Sequence, residues 1–153
     1  MQQLSFEHIF DIDIAIGARH VIGRGPFGRR VVAEVSGGTV NGPRIKGSIM
    51  PGTAGDWVLV ADDGTFYLDV RLTIETDDGA RIYMTYHGTR HGTPEVLARL
   101  DRGEDVDPSE YYFRTVPFFE TGDERYAWMN RIVAVGLGDR TPRGPYYSVH
   151  QVL

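Results

Sequence analysis

The chain has 153 residues, a formal charge of −5, 41% hydrophobic and 24% charged side chains, which is one domain with enough apolar side chain to bury a core unaided. It has no cysteine, so a disulfide scaffold, a thiolate nucleophile, a cysteine zinc site and a thiol redox centre are excluded. An acidic chain with no basic run is a poor partner for nucleic acid or an anionic membrane.

Leu4, Phe6, His8, Phe10, Ile12 and Ile14 alternate with Ser5, Glu7, Asp11 and Asp13. That period of two predicts a first strand with one buried face. Arg30 to Val35 reads as a second strand, stopped by Gly37-Gly38. Ile45 to Met50 is a third, ended by Pro51-Gly52, and Trp57 to Ala61 a fourth. Asp62-Asp63-Gly64 turns the chain into Phe66 to Ile74, and Asp77-Asp78-Gly79 turns it again into Arg81 to Tyr86. One short helix follows: Thr93 is the N-cap, Pro94 takes the first helical position, and Gly103 supplies the stop. Tyr111 to Val116, Ala127 to Val135 and Tyr146 to Leu153 complete about nine strands. Many strands joined by short turns predict a single all-β, antiparallel domain over residues 1–153, closed or nearly closed into a barrel that hides its edges. A barrel of that size holds either a filled core or one small ligand.

The fifth strand carries Phe66, Leu68, Val70 and Leu72 on one face and Tyr67, Asp69, Arg71 and Thr73 on the other. Tyr112 and Arg114 share a face of a later strand. Two readings stay open. These polar faces are the solvent side of half-buried strands, or Asp69, Arg71, Tyr112 and Arg114 line a polar interior where Arg71 grips an anion bidentately. A solid interior at Asp69 and Arg71, or those residues in open solvent, would end both the enzyme and the carrier reading of this site. Asp56-Trp57 follows a Gly-rich turn. A carboxylate beside a large ring suits a ligand mouth, where burial raises its pKa toward acid or base duty; capping the turn and filling the core is the other reading. Glu120, among apolar residues after Pro117, is the second candidate carboxylate, with a solvent-facing turn as the alternative.

Other chemistries fit poorly. His8, His20, His87, His91 and His150 form no compact ligand pattern. His87 and His91 are four apart, yet Gly88 follows a strand and no helix carries both, so no metal is expected. Gly23 to Gly28 lacks Lys-Ser/Thr, and Pro26 removes an N–H donor, which argues against a phosphate loop. The serines have no Gly-x-Ser-x-Gly setting. Lys46 is the single lysine among 16 basic residues, so a Schiff base would have to use it or the N-terminus.

Taken together, Gly-Pro-Phe-Gly-Arg-Arg, Ser-Gly-Gly-Thr-Val-Asn-Gly-Pro, Gly52 to Asp56-Trp57, Asp69-Val70-Arg71, Tyr112-Phe113-Arg114, Phe119-Glu120-Thr121 and Tyr126-Ala127-Trp128-Met129-Asn130 carry a resemblance. From about Phe6 to Leu153 the chain resembles a family of small bacterial proteins known as a domain of unknown function and similar to calycin-like β-barrels. The resemblance implies a barrel with a pocket and supplies no activity.

The expectation is therefore a small-molecule-binding barrel, a metal-free acid–base enzyme of lyase, isomerase or cyclase type, acting on an anionic or aromatic molecule without a cofactor. Asp56 and Glu120 are the candidate catalytic groups. Trp57, Asp69, Arg71, Tyr112, Arg114, Trp128 and Asn130 are the candidate ligand contacts. A non-catalytic carrier and a solid-core interaction protein are the alternatives. The N-terminus lacks a basic region followed by an apolar stretch, so a cytoplasmic protein is expected. The final strand has apolar groups on both faces, which suggests that it is covered, and a homodimer is expected.

Overall fold

The structure, a computed structural model, describes residues 3–153. Nine strands form one antiparallel sheet: β1 Phe6–Gly25, β2 Gly28–Asn41, β3 Lys46–Ile49, β4 Gly55–Val60, β5 Phe66–Thr76, β6 Arg81–His91, β7 Tyr112–Glu120, β8 Ala134–Thr141 and β9 Gly144–Val152. The helix α1 spans Pro94–Asp101. The hydrogen bonds run in a ring through eight strands. From β1 they pass through β9, β8, β7, β6 and β5, then cross to β2, which pairs with β1. Two short strands make that crossing at different levels. β3 joins Thr39–Asn41 of β2 to Ile74–Thr76 of β5, and β4 joins Arg29–Glu34 to Phe66–Arg71. Ring closure leaves few free strand edges.

Alternation decides what faces inward. Ile12 and Ile14 of β1, Leu72 and Ile74 of β5, and Ile82 and Met84 of β6 are essentially solvent-free and fill the ring at the level of β3. Each such side chain contributes ~1.5–3 kcal/mol through its removal from water. The helix adds Val96, Leu97 and Leu100 to the same core. Its start is capped as its sequence predicts, with Thr93 Oγ1 accepting from the Val96 N–H at 3.3 Å. Thr93→Ala is expected to lose ~1 kcal/mol, read as a lower urea midpoint at unchanged slope.

Two elements differ most from expectation. The first strand does not end at Ile14. It runs to Gly25 through irregularities between Ala15 and Ile16, Ile16 and Arg19, and Val21 and Gly23. Those bulges break the period of two that marks a strand in sequence. The expected strand over 127–135 is instead a 3-10 helix, Glu124–Arg131, with β8 starting at Ala134. Asp123 caps it through the Arg125 N–H at 3.0 Å, and Tyr126 and Met129, three apart, turn inward together. The last strand is covered, as expected: it lies between β1 and β8, and pairing within one chain is enough to order it.

Candidate functional site

At the level of β4 the ring is not filled. A cavity of about 200 Å³ lies there, somewhat larger than the ~150 Å³ that takes one benzene ring. Its walls are apolar side chains that alternation turns inward: Val31 and Ala33 from β2, Val58 and Val60 from β4, Phe66 and Leu68 from β5, and Phe113 from β7. The lining also includes one acidic residue, Asp56, and four arginines, Arg19, Arg29, Arg90 and Arg140. Tyr147 of β9 completes the wall.

Asp56 shares its strand face with Val58 and Val60. The β4–β5 ladder pairs Asp56 with Val70 and Leu59 with Tyr67, and between these pairs the Asp69 N–H donates to Asp56 Oδ1 at 3.1 Å. Burial raises the Asp56 pKa from 3.8 to about 6; the Asp69 N–H works against that rise and the Asp69 carboxylate adds to it. A carboxyl in that range exchanges a proton near neutral pH. The buried Tyr147 ring packs edge-on against Tyr86 at 5.3 Å and Phe113 at 5.2 Å between centroids. Burial pushes the hydroxyl pKa of both tyrosines up, so they stay protonated as donors.

Arg90, on β6, is only 6% exposed. One face of its guanidinium lies over Phe66, 4.1 Å from the ring centroid. Arg140, on β8, donates to the Thr141 carbonyl at 2.5 Å. Burial lowers the pKa of both, with a further lowering from Arg140 at Arg90 and from Arg19 at Arg140. Arg19 and Arg29 line the same cavity from exposed positions on β1 and β2.

Of the residues singled out in the sequence, Asp56 lines this cavity. Trp57 points the other way, 38% exposed, as the next residue on a strand must. Asp69 and Arg71 do not face the interior. The inner face of β5 is Phe66, Leu68, Val70 and Leu72, and the Asp69–Arg71 pair, 3.7 Å apart, sits half-exposed outside, with Arg71 beside the Trp57 ring. The ligand reading built on that pair is therefore given up, and the one taken up below rests instead on the cavity, which other residues line. Tyr112 and Arg114 also lie outside, in a shallow groove with Tyr67, His87 and Val116. Glu120 ends β7 exposed and paired in register with Tyr83. Trp128 packs partly buried against the core under Arg44, 3.8 Å from its ring centroid. Asn130 closes a turn: its Oδ1 accepts from the Thr121 N–H at 2.8 Å and its Nδ2 donates to the Thr121 carbonyl at 3.0 Å.

Sequence reading missed Arg19, Arg29, Arg90 and Arg140. A signal existed for Arg90: the inward series Ile82, Met84, Tyr86 continues through Gly88 to Arg90 once β6 is extended to His91. For Arg140 the inward series is Ala134, Gly136 and Gly138, too small to register as a buried face. Arg19 follows the bulge that reverses parity in β1.

Among the described residues no group of three or more His, Asp or Glu side chains is placed to hold a metal ion, and no helix is long and apolar enough to cross a membrane.

Comparison with known proteins gives the same architecture. A conserved protein of unknown function from Rhodopseudomonas palustris superposes with a TM-score of 0.92 at 36% identity, covering 100% of this chain and 99% of that one. A β-barrel-like protein from Acinetobacter baumannii AYE superposes at 0.87 with 34% identity, covering 100% and 98%. The hydroalkoxylation enzyme phnH of Penicillium herquei is 24% identical over 132 residues, 86% of this chain and 72% of that protein. The model of one family, described as protein of unknown function (DUF3237), matches residues 4–152, and the chain belongs to that family.

Proposed function

We propose that the protein is an acid–base enzyme of the lyase, isomerase or cyclase class, acting on a small anionic or aromatic molecule in the β4-level cavity, with Asp56 moving the proton. The observation that carries this is a carboxyl with its pKa raised to about 6, set in an apolar cavity beside protonated tyrosine and arginine donors. Above pH 6 Asp56 takes a proton from a hydroxyl or a carbon acid. The charge left on the substrate is met by donors already in place, which is where such sites gain most of their rate. The conjugate acid then returns the proton to carbon. The distant similarity to a hydroalkoxylation enzyme supports this reading, because adding O–H across a C=C bond needs a proton removed from oxygen and one delivered to carbon. An open interior argues against a solid-core interaction barrel.

The test is proton NMR in D2O with a panel of one-ring unsaturated and keto compounds. Wild type should isomerise, cyclise or deuterate at least one of them, and Asp56→Asn should lose ~10²–10⁴-fold of that rate. A variant as active as wild type removes Asp56 from the mechanism. A wild type that binds members of the panel and turns over none of them is a carrier.

A further inference from the structure

Arg90 is the anomaly of the interior. Its Nε is buried with no hydrogen-bond partner. No ion pair among the described residues includes it. A buried guanidinium without an acceptor is costly, since the solvation it gives up is not replaced. Stacking on Phe66 covers one face of the plane and leaves the Nε–H at its rim without an acceptor. Arg140 lines the same cavity and adds a second positive charge rather than a counter-charge. The chain as a whole is acidic, yet the lining of this cavity holds four arginines and one acidic residue.

We propose that Arg90, supported by Arg140, is the seat of the substrate's carboxylate, and that the substrate class is the small organic monocarboxylates with an apolar body about one aromatic ring in size. The inference rests on the cavity being the substrate site, as proposed above. A carboxylate fits better than a neutral carbonyl because it offers two acceptor oxygens to a planar fork of donors. It also brings a counter-charge into direct contact, where Asp101 acts on Arg90 without forming an ion pair. The size follows from the cavity volume of about 200 Å³. Seating the carboxylate on Arg90 keeps that charge off Asp56, so the group presented to Asp56 is the uncharged end of the ligand. Arg90 is thus a specificity residue for the class of molecule and Asp56 the group that reacts.

The experiment compares benzoate with benzamide, of equal size but neutral, by isothermal titration calorimetry on wild type, Arg90→Met, Arg90→Lys and Asp56→Asn. Wild type should prefer benzoate by at least about tenfold, as a charge-assisted bidentate pair does over a neutral one. Arg90→Met should abolish the preference and melt no lower than wild type, because it removes an unpartnered buried charge. Arg90→Lys should keep the charge and still bind benzoate several-fold more weakly, having lost the fork. Equal binding of the two probes by wild type, no binding of benzoate at millimolar concentration, or a preference that survives Arg90→Met overturns the proposal. A large fall in melting temperature in Arg90→Met also overturns it, because Arg90 is then structural. Asp56→Asn separates the two readings. If it turns over substrate like wild type while benzoate still requires Arg90, the acid–base assignment fails and the carboxylate seat stands. If it loses turnover while benzoate and benzamide bind alike, the reverse holds.

Discussion

Asp56→Asn is expected to melt above wild type at pH 8 and close to it at pH 4. The sign follows from the direction of the shift. Burial raises the folded-state pKa from 3.8 to about 6, so the folded protein holds this proton more tightly than the unfolded chain does. Between those two values folding takes up a proton, and stability falls as the pH rises. Above pH 6 the penalty is complete. At 1.36 kcal/mol per pH unit the shift corresponds to a ceiling of ~3 kcal/mol. The asparagine keeps the acceptor for the Asp69 N–H and adds an NH2 group that needs a partner of its own. The net difference between variant and wild type should therefore grow by ~2 kcal/mol between pH 4 and pH 8. Urea unfolding at several pH values reads it directly. A difference that does not change with pH would show a carboxylate in free contact with water. A stability gain alongside lost turnover is the usual mark of a group kept for chemistry rather than for folding.

The same cavity shows what alternation in a sequence does and does not convey. The strands between tight turns, the helix with its Thr93 cap, and the closure of the sheet all follow from periodicity and turn chemistry. Asp56 could be picked out because a carboxylate enters a strand after a Gly-rich turn. Its neighbour Trp57 necessarily faces the other way, and any candidate site using both on one face is inconsistent with a strand. Asp69 and Arg71 form a regular polar row, yet a row of polar residues beside an apolar row marks the solvent face of an ordinary half-buried strand. The informative residues break the pattern instead. Arg90 interrupts an apolar inward series, Arg140 ends a series of small residues, and Arg19 follows a bulge that reverses parity. A charged residue on an apolar face violates local consistency, and such violations concentrate at functional sites. Reading them needs strand ends and bulges placed to within a residue, which propensity does not supply.

Gly144→Ala is expected to destabilise the protein by ~3–5 kcal/mol, a large part of the ~5–15 kcal/mol that holds a domain together. Two effects add there. Gly144 opens β9 with φ +153°, a conformation that L side chains rarely adopt. A Cβ built on it would stand 2.1 Å from the Ile14 carbonyl oxygen and 3.1 Å from Ile16 Cγ1. The obstacle is the backbone of β1, not the end of a flexible side chain, so relief requires β9 to separate from β1 at the point where the ring closes. Gly52→Ala isolates the first effect. Gly52 has φ +77° with nothing within 4 Å of an added Cβ, so the backbone strain alone should cost ~1–2 kcal/mol. Equilibrium urea unfolding of the two variants separates the contributions, and equal losses would show that the β1–β9 contact yields easily. The consequence also reaches the cavity, because Pro145 and Tyr147 follow Gly144 directly and form part of its wall. Gly144→Ala should therefore weaken benzoate binding at temperatures where the variant is still folded, whereas Gly52→Ala should leave it unchanged. That contrast locates the coupling between ring closure and ligand site in the first residues of β9.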